Sequence, residues 1–212
     1  MMKRNNFPFS AVLGLNHAKT AILIVLVNPR AGGLLISGPR GIGKSTLMRS
    51  TQELIERPWR DIPVSVTEDR LFGTIDTEKA IYSGQKKLYP GIINEADQGV
   101  LYLDDANLLR EDLLDFILNI AEVGAYQLER DGLSLRCDTS FTVIAAINPE
   151  SGMLSGACLD QFGLFVNVDN IHDENTRVEI LKRTISFEKD CASFCKLWKL
   201  ENEKIKKAIH SA

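Results

Sequence analysis

Two rhythms of apolar residues run along this chain. Leu34-Leu35-Ile36, Val100-Leu101-Tyr102-Leu103, Phe141 to Ile147 and Leu164 to Val168 are short unbroken runs, as expected of strands buried on both faces. Between them, apolar positions fall at helical spacing. Leu47, Met48, Thr51, Leu54 and Ile55 share one face of a helix predicted to run to about residue 56. Leu109, Leu113, Phe116, Ile117 and Ile120 recur at i, i+4, i+7, i+8 and i+11, an amphipathic stripe. Asp173 stands where a cap belongs, ahead of a helix carrying Val178, Leu181 and Ile185.

Breakers set the bounds of these elements. A helix over 16–27 is ended by Asn28-Pro29. Pro58, Asp61 and Pro63 mark a loop, and Pro63-Val64-Ser65-Val66 is read as the start of a second strand. Residues 67–99 are rich in glycine and polar groups, with a short helix predicted near 77–83. Residues 125–136 read as a β-hairpin around Asp131-Gly132, a dipeptide suited to tight turns with positive φ. The tail from 191 reads as a further helix. Alternation of buried strands with helices predicts a three-layer α/β/α domain on a central parallel sheet, into which the hairpin is inserted.

Chemistry enters at residues 38–45, Gly-Pro-Arg-Gly-Ile-Gly-Lys-Ser, a complete G-x-x-x-x-G-K-[ST] phosphate-binding loop between strand and helix. Its glycines let backbone N–H groups turn towards phosphate oxygens, Lys44 brings a point charge to the β/γ phosphates, and Ser45 offers a hydroxyl to Mg²⁺. The expected nucleotide-binding set is Gly38, Pro39, Arg40, Gly41, Ile42, Gly43, Lys44, Ser45 and Thr46. A second element usually holds the metal from the end of an adjacent strand. The run Val100 to Leu103 ends in Asp104-Asp105. Asp104 is the expected Mg²⁺ partner, and Asp105 stands where a water-positioning carboxylate belongs. Asn148, directly after another strand, is a third candidate, to orient water near the γ-phosphate.

Bulk properties narrow the setting. A net charge of −3 gives no reason to expect a nucleic-acid partner. The longest apolar run, Ala21 to Val27, is too short to span a bilayer, and no secretory signal opens the chain. Cys137, Cys158, Cys191 and Cys195 form no C-x-x-C pair, which favours reduced thiols and a cytoplasmic setting. His17, His172 and His210 are scattered and receive no chemistry.

With these residues in hand, the chain resembles the AAA+ ATPases, and among them the ATPase (I) subunits of magnesium chelatase, from about Phe7 to Trp198. The resemblance rests on Phe7-Pro8-Phe9-Ser10-Ala11-Val12-Leu13-Gly14, similar to the family's adenine-side segment, and on Glu68-Asp69-Arg70-Leu71-Phe72-Gly73. It continues in Tyr89-Pro90-Gly91-Ile92-Ile93, Gly99 to Asp104, the hairpin Glu129 to Arg136, and the sensor-1 segment Asn148-Pro149-Glu150. It implies ATP and Mg²⁺ as ligands, with Gly14 added to the nucleotide-binding set. It implies a hexameric ring with ATP at the subunit interfaces, a related AAA+ D-type partner subunit, and a porphyrin-binding H-type subunit that inserts Mg²⁺ into protoporphyrin IX. The hairpin is implied to touch neighbours or partners.

Three features depart from the family pattern. Asp105 stands where the family has Glu, drawing the carboxylate back by about 1 Å, and misplacement on that scale can cost ~10²-fold in rate. In Leu159-Asp160-Gln161-Phe162-Gly163, Gln161 takes the place of an arginine finger. A neutral amide cannot offset charge on a transferring phosphoryl group, and loss of such an arginine costs on the order of 10³-fold. The chain stops at Ala212, so the C-terminal helical lid with its sensor-2 arginine is expected to be absent or truncated. Residues 1–190 then form the α/β domain, and 191–212 a helix leading towards the lid. Three readings follow: an ATPase driving metal insertion, an ATP-binding assembly module that hydrolyses weakly, or a MoxR-like chaperone for another metalloprotein.

Overall fold

The unbroken apolar runs become the strands of one parallel sheet. In this computed structural model, residues 6–75, 88–130 and 133–211 are described. The strands, in chain order, are β1 (Leu34–Ser37), β2 (Trp59–Ile62), β3 (Gly73–Ile75), β4 (Leu88–Pro90), β5 (Gly99–Leu103), β6 (Ala125–Arg130), β7 (Leu133–Asp138), β8 (Phe141–Ile147) and β9 (Leu164–Asn167). Five of them form the main sheet in the order β2-β5-β8-β1-β9, and every pairing in it is parallel. Leu34 to Ser37 lie beside Ile144 to Ile147 on one side and Leu164 to Asn167 on the other. All five strands therefore end at one edge, where open α/β sheets bind ligands. β3–β4 and β6–β7 are separate antiparallel ribbons.

Strand alternation divides the core. Leu35, Leu101, Leu103, Val143 and Ala145 point to one face, against the helices Ile92–Glu95 and Glu111–Val123. Leu34, Ile36, Val100, Tyr102, Ile144 and Ala146 point to the other, against the helices Asn16–Val27 and Lys44–Thr51. Each fully buried Leu or Ile contributes about 1.5–3 kcal/mol over an exposed one. The central strands thus anchor the edge on which the site is built.

Local chemistry sets several boundaries. The helix Asn16–Val27 stops where the Asn28 side chain accepts from Arg30 N and Pro29 follows. Gly124, at φ 78°, closes the helix Glu111–Val123. The Asp173 carboxylate accepts from Thr176 N at 2.7 Å and opens the helix Glu174–Lys189.

Some expectations are corrected. The second strand is Trp59–Ile62 rather than a segment starting at Pro63. It is an edge strand with exposed Arg60 and Asp61 and no apolar run to mark it. The helix after the phosphate loop ends at Thr51 and tightens into a 3₁₀ turn over Gln52–Leu54 instead of reaching 56. Leu109 precedes the helix that starts at Glu111, and Phe116 is exposed, with its ring edge against Phe72 at 5.9 Å. Val178, Leu181 and Ile185 lie on the expected helix Glu174–Lys189, with their side chains exposed. The helix expected near 77–83 and the turn Asp131-Gly132 lie outside the described residues.

The final helix, Cys191–Ser211, folds back on the domain. Phe194 meets Phe7 at 5.3 Å, and Asn202 Oδ1 accepts from Ser10 N at 2.9 Å. Lys206 pairs with Glu56 at 2.9 Å, and Ile209 is buried. Among the described residues, no helix is long and apolar enough to cross a membrane.

Candidate functional site

Where β1 ends, Gly38 N donates to Ile147 O of β8 at 3.2 Å, so the loop rises between the two strands. Gly41 and Gly43 take φ of 86° and 95°, a conformation costly for side chains with a Cβ. These turns deliver the chain into the helix Lys44–Thr51, whose N-terminal N–H groups face the loop. Lys44 bends back over the loop, donating from Nζ to Gly38 O at 2.5 Å and Pro39 O at 2.9 Å. Burial holds its pKa below the ordinary lysine value, and Arg40 pushes the same way, while Asp105 and Asp104 pull it up.

Across β8, β5 brings up the acids. Asp104 Oδ1 accepts from Ser45 Oγ at 3.3 Å and from Tyr102 Oη at 2.9 Å. Burial, then the Asp104 charge, raise the Tyr102 pKa, so the phenol stays a donor. Asp105 adopts the left-handed conformation, φ 50° and ψ 50°, which Asp tolerates better than most residues. Its Oδ2 lies 3.8 Å from Arg40. Arg40, Gly41, Gly43, Lys44, Ser45, Thr46, Asp104 and Asp105 line one cavity of about 230 Å³.

The donor set there fits a magnesium nucleotide. One hydroxyl and one carboxylate already within hydrogen-bond distance suit an ion that takes few protein ligands and keeps waters and phosphate oxygens. Among the described residues, Lys44 donates to the loop carbonyls of Gly38 and Pro39, which a phosphate can replace.

A larger cavity of about 810 Å³ adjoins the first, sharing Gly41, Gly43 and Thr46. Phe7, Val12 and Leu13 of the N-terminal segment form one wall, Ile171 and His172 another, and Arg177, Ile180, Arg183 and Phe187 of the helix Glu174–Lys189 a third. Arg183 ties these walls together. It donates to Ala11 O at 3.0 Å, pairs with Glu179 at 2.9 Å and lies 4.5 Å from the Trp198 ring centroid. A wide apolar chamber opening on a small charged one suits a ligand with a flat ring at one end and anions at the other.

The structure brings the loop residues, Asp104 and Asp105 together, with Ile42 on the wall of the larger chamber. Gly14 does not line either cavity. Its φ of 69° and close approach to Ile171 hold Leu13 against the chamber. Asn148 sits at the end of β8, between β1 and β5, but its amide serves the local turn: Oδ1 accepts from Glu150 N and Nδ2 donates to Ser151 Oγ, each at 3.2 Å. Gln161 is half-buried at the opposite end of the sheet, just before β9, and donates locally, to Ala157 O. Sequence reasoning missed Tyr102, His172 and Arg177. It also missed Asn107, whose Nδ2 donates to Asn148 O at 3.2 Å and Gly152 O at 3.0 Å, linking the ends of β5 and β8. His172 could have been suspected only from its place after the last strand, which carries no chemical signal.

Comparison with known proteins agrees with this fold. Residues 33–161 match the family model of the AAA domain, dynein-related subfamily. The chain is 35% identical to the magnesium-chelatase 38 kDa subunit of Cereibacter sphaeroides, over 97% of this chain and 72% of that protein. It is 33% identical to the magnesium-chelatase subunit ChlI of Cyanophora paradoxa, over 100% and 73% of the two chains. A structure of the complex between the BchI and BchD subunits of magnesium chelatase, built on a cryo-EM reconstruction, contains a chain that superposes with a TM-score of 0.73 at 35% identity. That match covers 99% of this chain and 75% of the other.

Proposed function

The chain belongs to the AAA+ ATPases, in the branch of the magnesium-chelatase I subunits, and from that membership and the site geometry we propose that it binds Mg·ATP and hydrolyses it to drive Mg²⁺ insertion into protoporphyrin IX. It does so in a hexameric ring, with a D-type AAA+ subunit and a porphyrin-binding H-type subunit as partners. The observation that carries the nucleotide part is the 3.3 Å contact of Ser45 with Asp104, made across an intervening strand within reach of Lys44.

The residues divide the work. Lys44 exchanges the carbonyls of Gly38 and Pro39 for β/γ-phosphate oxygens. Ser45 and Asp104 would hold Mg²⁺, and Tyr102 fixes the Asp104 carboxylate. A bound Mg²⁺ would supply positive charge to offset that of the triphosphate. The chamber walled by Val12, Leu13, Ile171 and His172 takes the adenine ring. Asp105 accepts a hydrogen bond from the attacking water, and the second N–H of Asn148 Nδ2 orients that water. The water oxygen bonds to γ-phosphorus as the bond to the β–γ bridging oxygen breaks, its electron pair leaving on ADP. The water's proton passes through Asp105 to the phosphate product.

A second reading, an assembly module that hydrolyses slowly, is favoured by Asp105 and Gln161. Titration calorimetry with Mg·ATP separates the site from its rate: Lys44→Ala is expected to abolish binding or weaken it greatly, and unchanged affinity overturns the site. Steady-state turnover then distinguishes the two readings. Mg-porphyrin formation with partner subunits, with and without ATP, tests the coupled reaction.

A further inference from the structure

We propose that Arg40 is a catalytic arginine supplied in cis, parked on Asp105 in the nucleotide-free protein and transferred to the γ-phosphate when ATP arrives. The inference rests on the nucleotide reading above. It starts from the 3.8 Å pair between Arg40 and Asp105 Oδ2, two side chains of the same charged cavity.

Three observations support the transfer. Arg40 is 77% exposed and its contact with Asp105 is long. Surface pairs of this kind are weak, so a triphosphate carrying several charges outcompetes the carboxylate. The space beside Arg40 is open, since a Cβ built on Gly41 meets nothing within 4 Å, so the guanidinium has room to turn. Among the described residues lining the two cavities, the other Lys and Arg side chains are spoken for or misplaced. Lys44 is needed by the β/γ oxygens, Arg183 is tied to Ala11 O and Glu179, and Arg177 lines the apolar chamber rather than the acid cluster. Gln161 brings no charge and sits at the far end of the sheet.

The exchange has a chemical consequence. While Arg40 stands beside Asp105 Oδ2, that oxygen faces the guanidinium rather than a water. When the γ-phosphate takes the guanidinium, Asp105 is freed for the attacking water, and Arg40 offsets the charge spreading over the γ-phosphoryl oxygens as the bond to the bridging oxygen breaks. ADP lacks the γ-phosphate and leaves the pair intact. Arg40 thereby reports which nucleotide is present.

The test uses the full chain with Arg40→Ala and Arg40→Lys. Affinities for ADP and for a slowly hydrolysed ATP analogue are measured by calorimetry, and kcat and KM at steady state. Expected for Arg40→Ala are an ADP affinity within about threefold of the parent, an analogue affinity down ~10-fold, and kcat down ~10²-fold or more. Arg40→Lys recovers part of the analogue affinity but little of kcat, because a point charge replaces a planar fork. Unchanged analogue-to-ADP preference together with unchanged kcat overturns the proposal and leaves a surface ion pair only. Loss of ADP affinity to the same degree as analogue affinity also overturns it, by assigning Arg40 to general phosphate binding. Failure of Lys44→Ala to affect any nucleotide is the separate result that removes the site itself.

Discussion

Lys44 sets the pH dependence of the site. In the free protein, burial holds its pKa below the ordinary lysine value, and a phosphate partner raises it again. Binding is therefore at full strength below the free-state pKa and weakens as pH rises through the window between the free and bound values. Calorimetry in buffers of different ionisation enthalpy is expected to show proton uptake within that window and none well below it. Tyr102 acts through Asp104. Tyr102→Phe removes the 2.9 Å hydrogen bond and frees the carboxylate to turn. Such positioning partners are worth about 10–100-fold in metal affinity, so the Mg²⁺ concentration for half-maximal nucleotide binding is expected to rise about 10-fold while metal-free nucleotide binding changes little. At this scale the sequence was partly legible. The loop from Gly38 to Ser45 and the acids at 104 and 105 are local patterns that carry their chemistry with them. Tyr102 lies inside a continuous apolar run, where nothing in the order of residues says that its hydroxyl meets Asp104. Asn148 was legible as a strand-end amide, but not as one already serving its own turn.

Among the elements, the edge strand β2 is held by closeness as much as by hydrogen bonds. A Cβ on Gly99 would stand 2.0 Å from Pro58 O, where the chain entering β2 crosses the start of β5. Gly99→Ala must push the two strands apart. The expected cost is about 3 kcal/mol, or roughly 6–12 °C in Tm for a chain of this size, with nucleotide affinity reduced because β5 carries Asp104. Thermal unfolding followed by circular dichroism reads the effect, and a shift under about 2 °C contradicts the close-packing account. Periodicity found β5, β8 and β9, and it found the helix Glu111–Val123. It missed β2 because Arg60 and Asp61 face solvent and interrupt any apolar run. It found the helix capped by Asp173 that carries Val178, Leu181 and Ile185, although helical spacing shows that a stripe exists without showing what it packs against.

For the molecule as a whole, parallel strands give the domain two unlike ends. One end carries the loop and acids, and the other carries Gln161. A cation at 161 is therefore out of reach of its own nucleotide and acts only on a neighbour in the proposed ring. Gln161→Arg is expected to leave turnover unchanged in dilute protein and to raise it at concentrations that support assembly. Specific activity against protein concentration measures this, and an equal rise at every dilution contradicts it. Chain direction and fold class were readable from alternation alone. The separation of the two ends follows from strand order, which depends on long-range pairing that no local window contains.

The hydroxyl at 45 stands on the helix that follows β1 and the carboxylate at 104 directly follows β5, two strands that never touch because β8 runs between them. Any ion gripped by both acts as a clasp laid over the middle of the sheet. Loading the site then stiffens a span of backbone that the ligand does not contact. Release would loosen it again, so in the proposed hydrolytic cycle a mechanical pulse would reach the body of the protein.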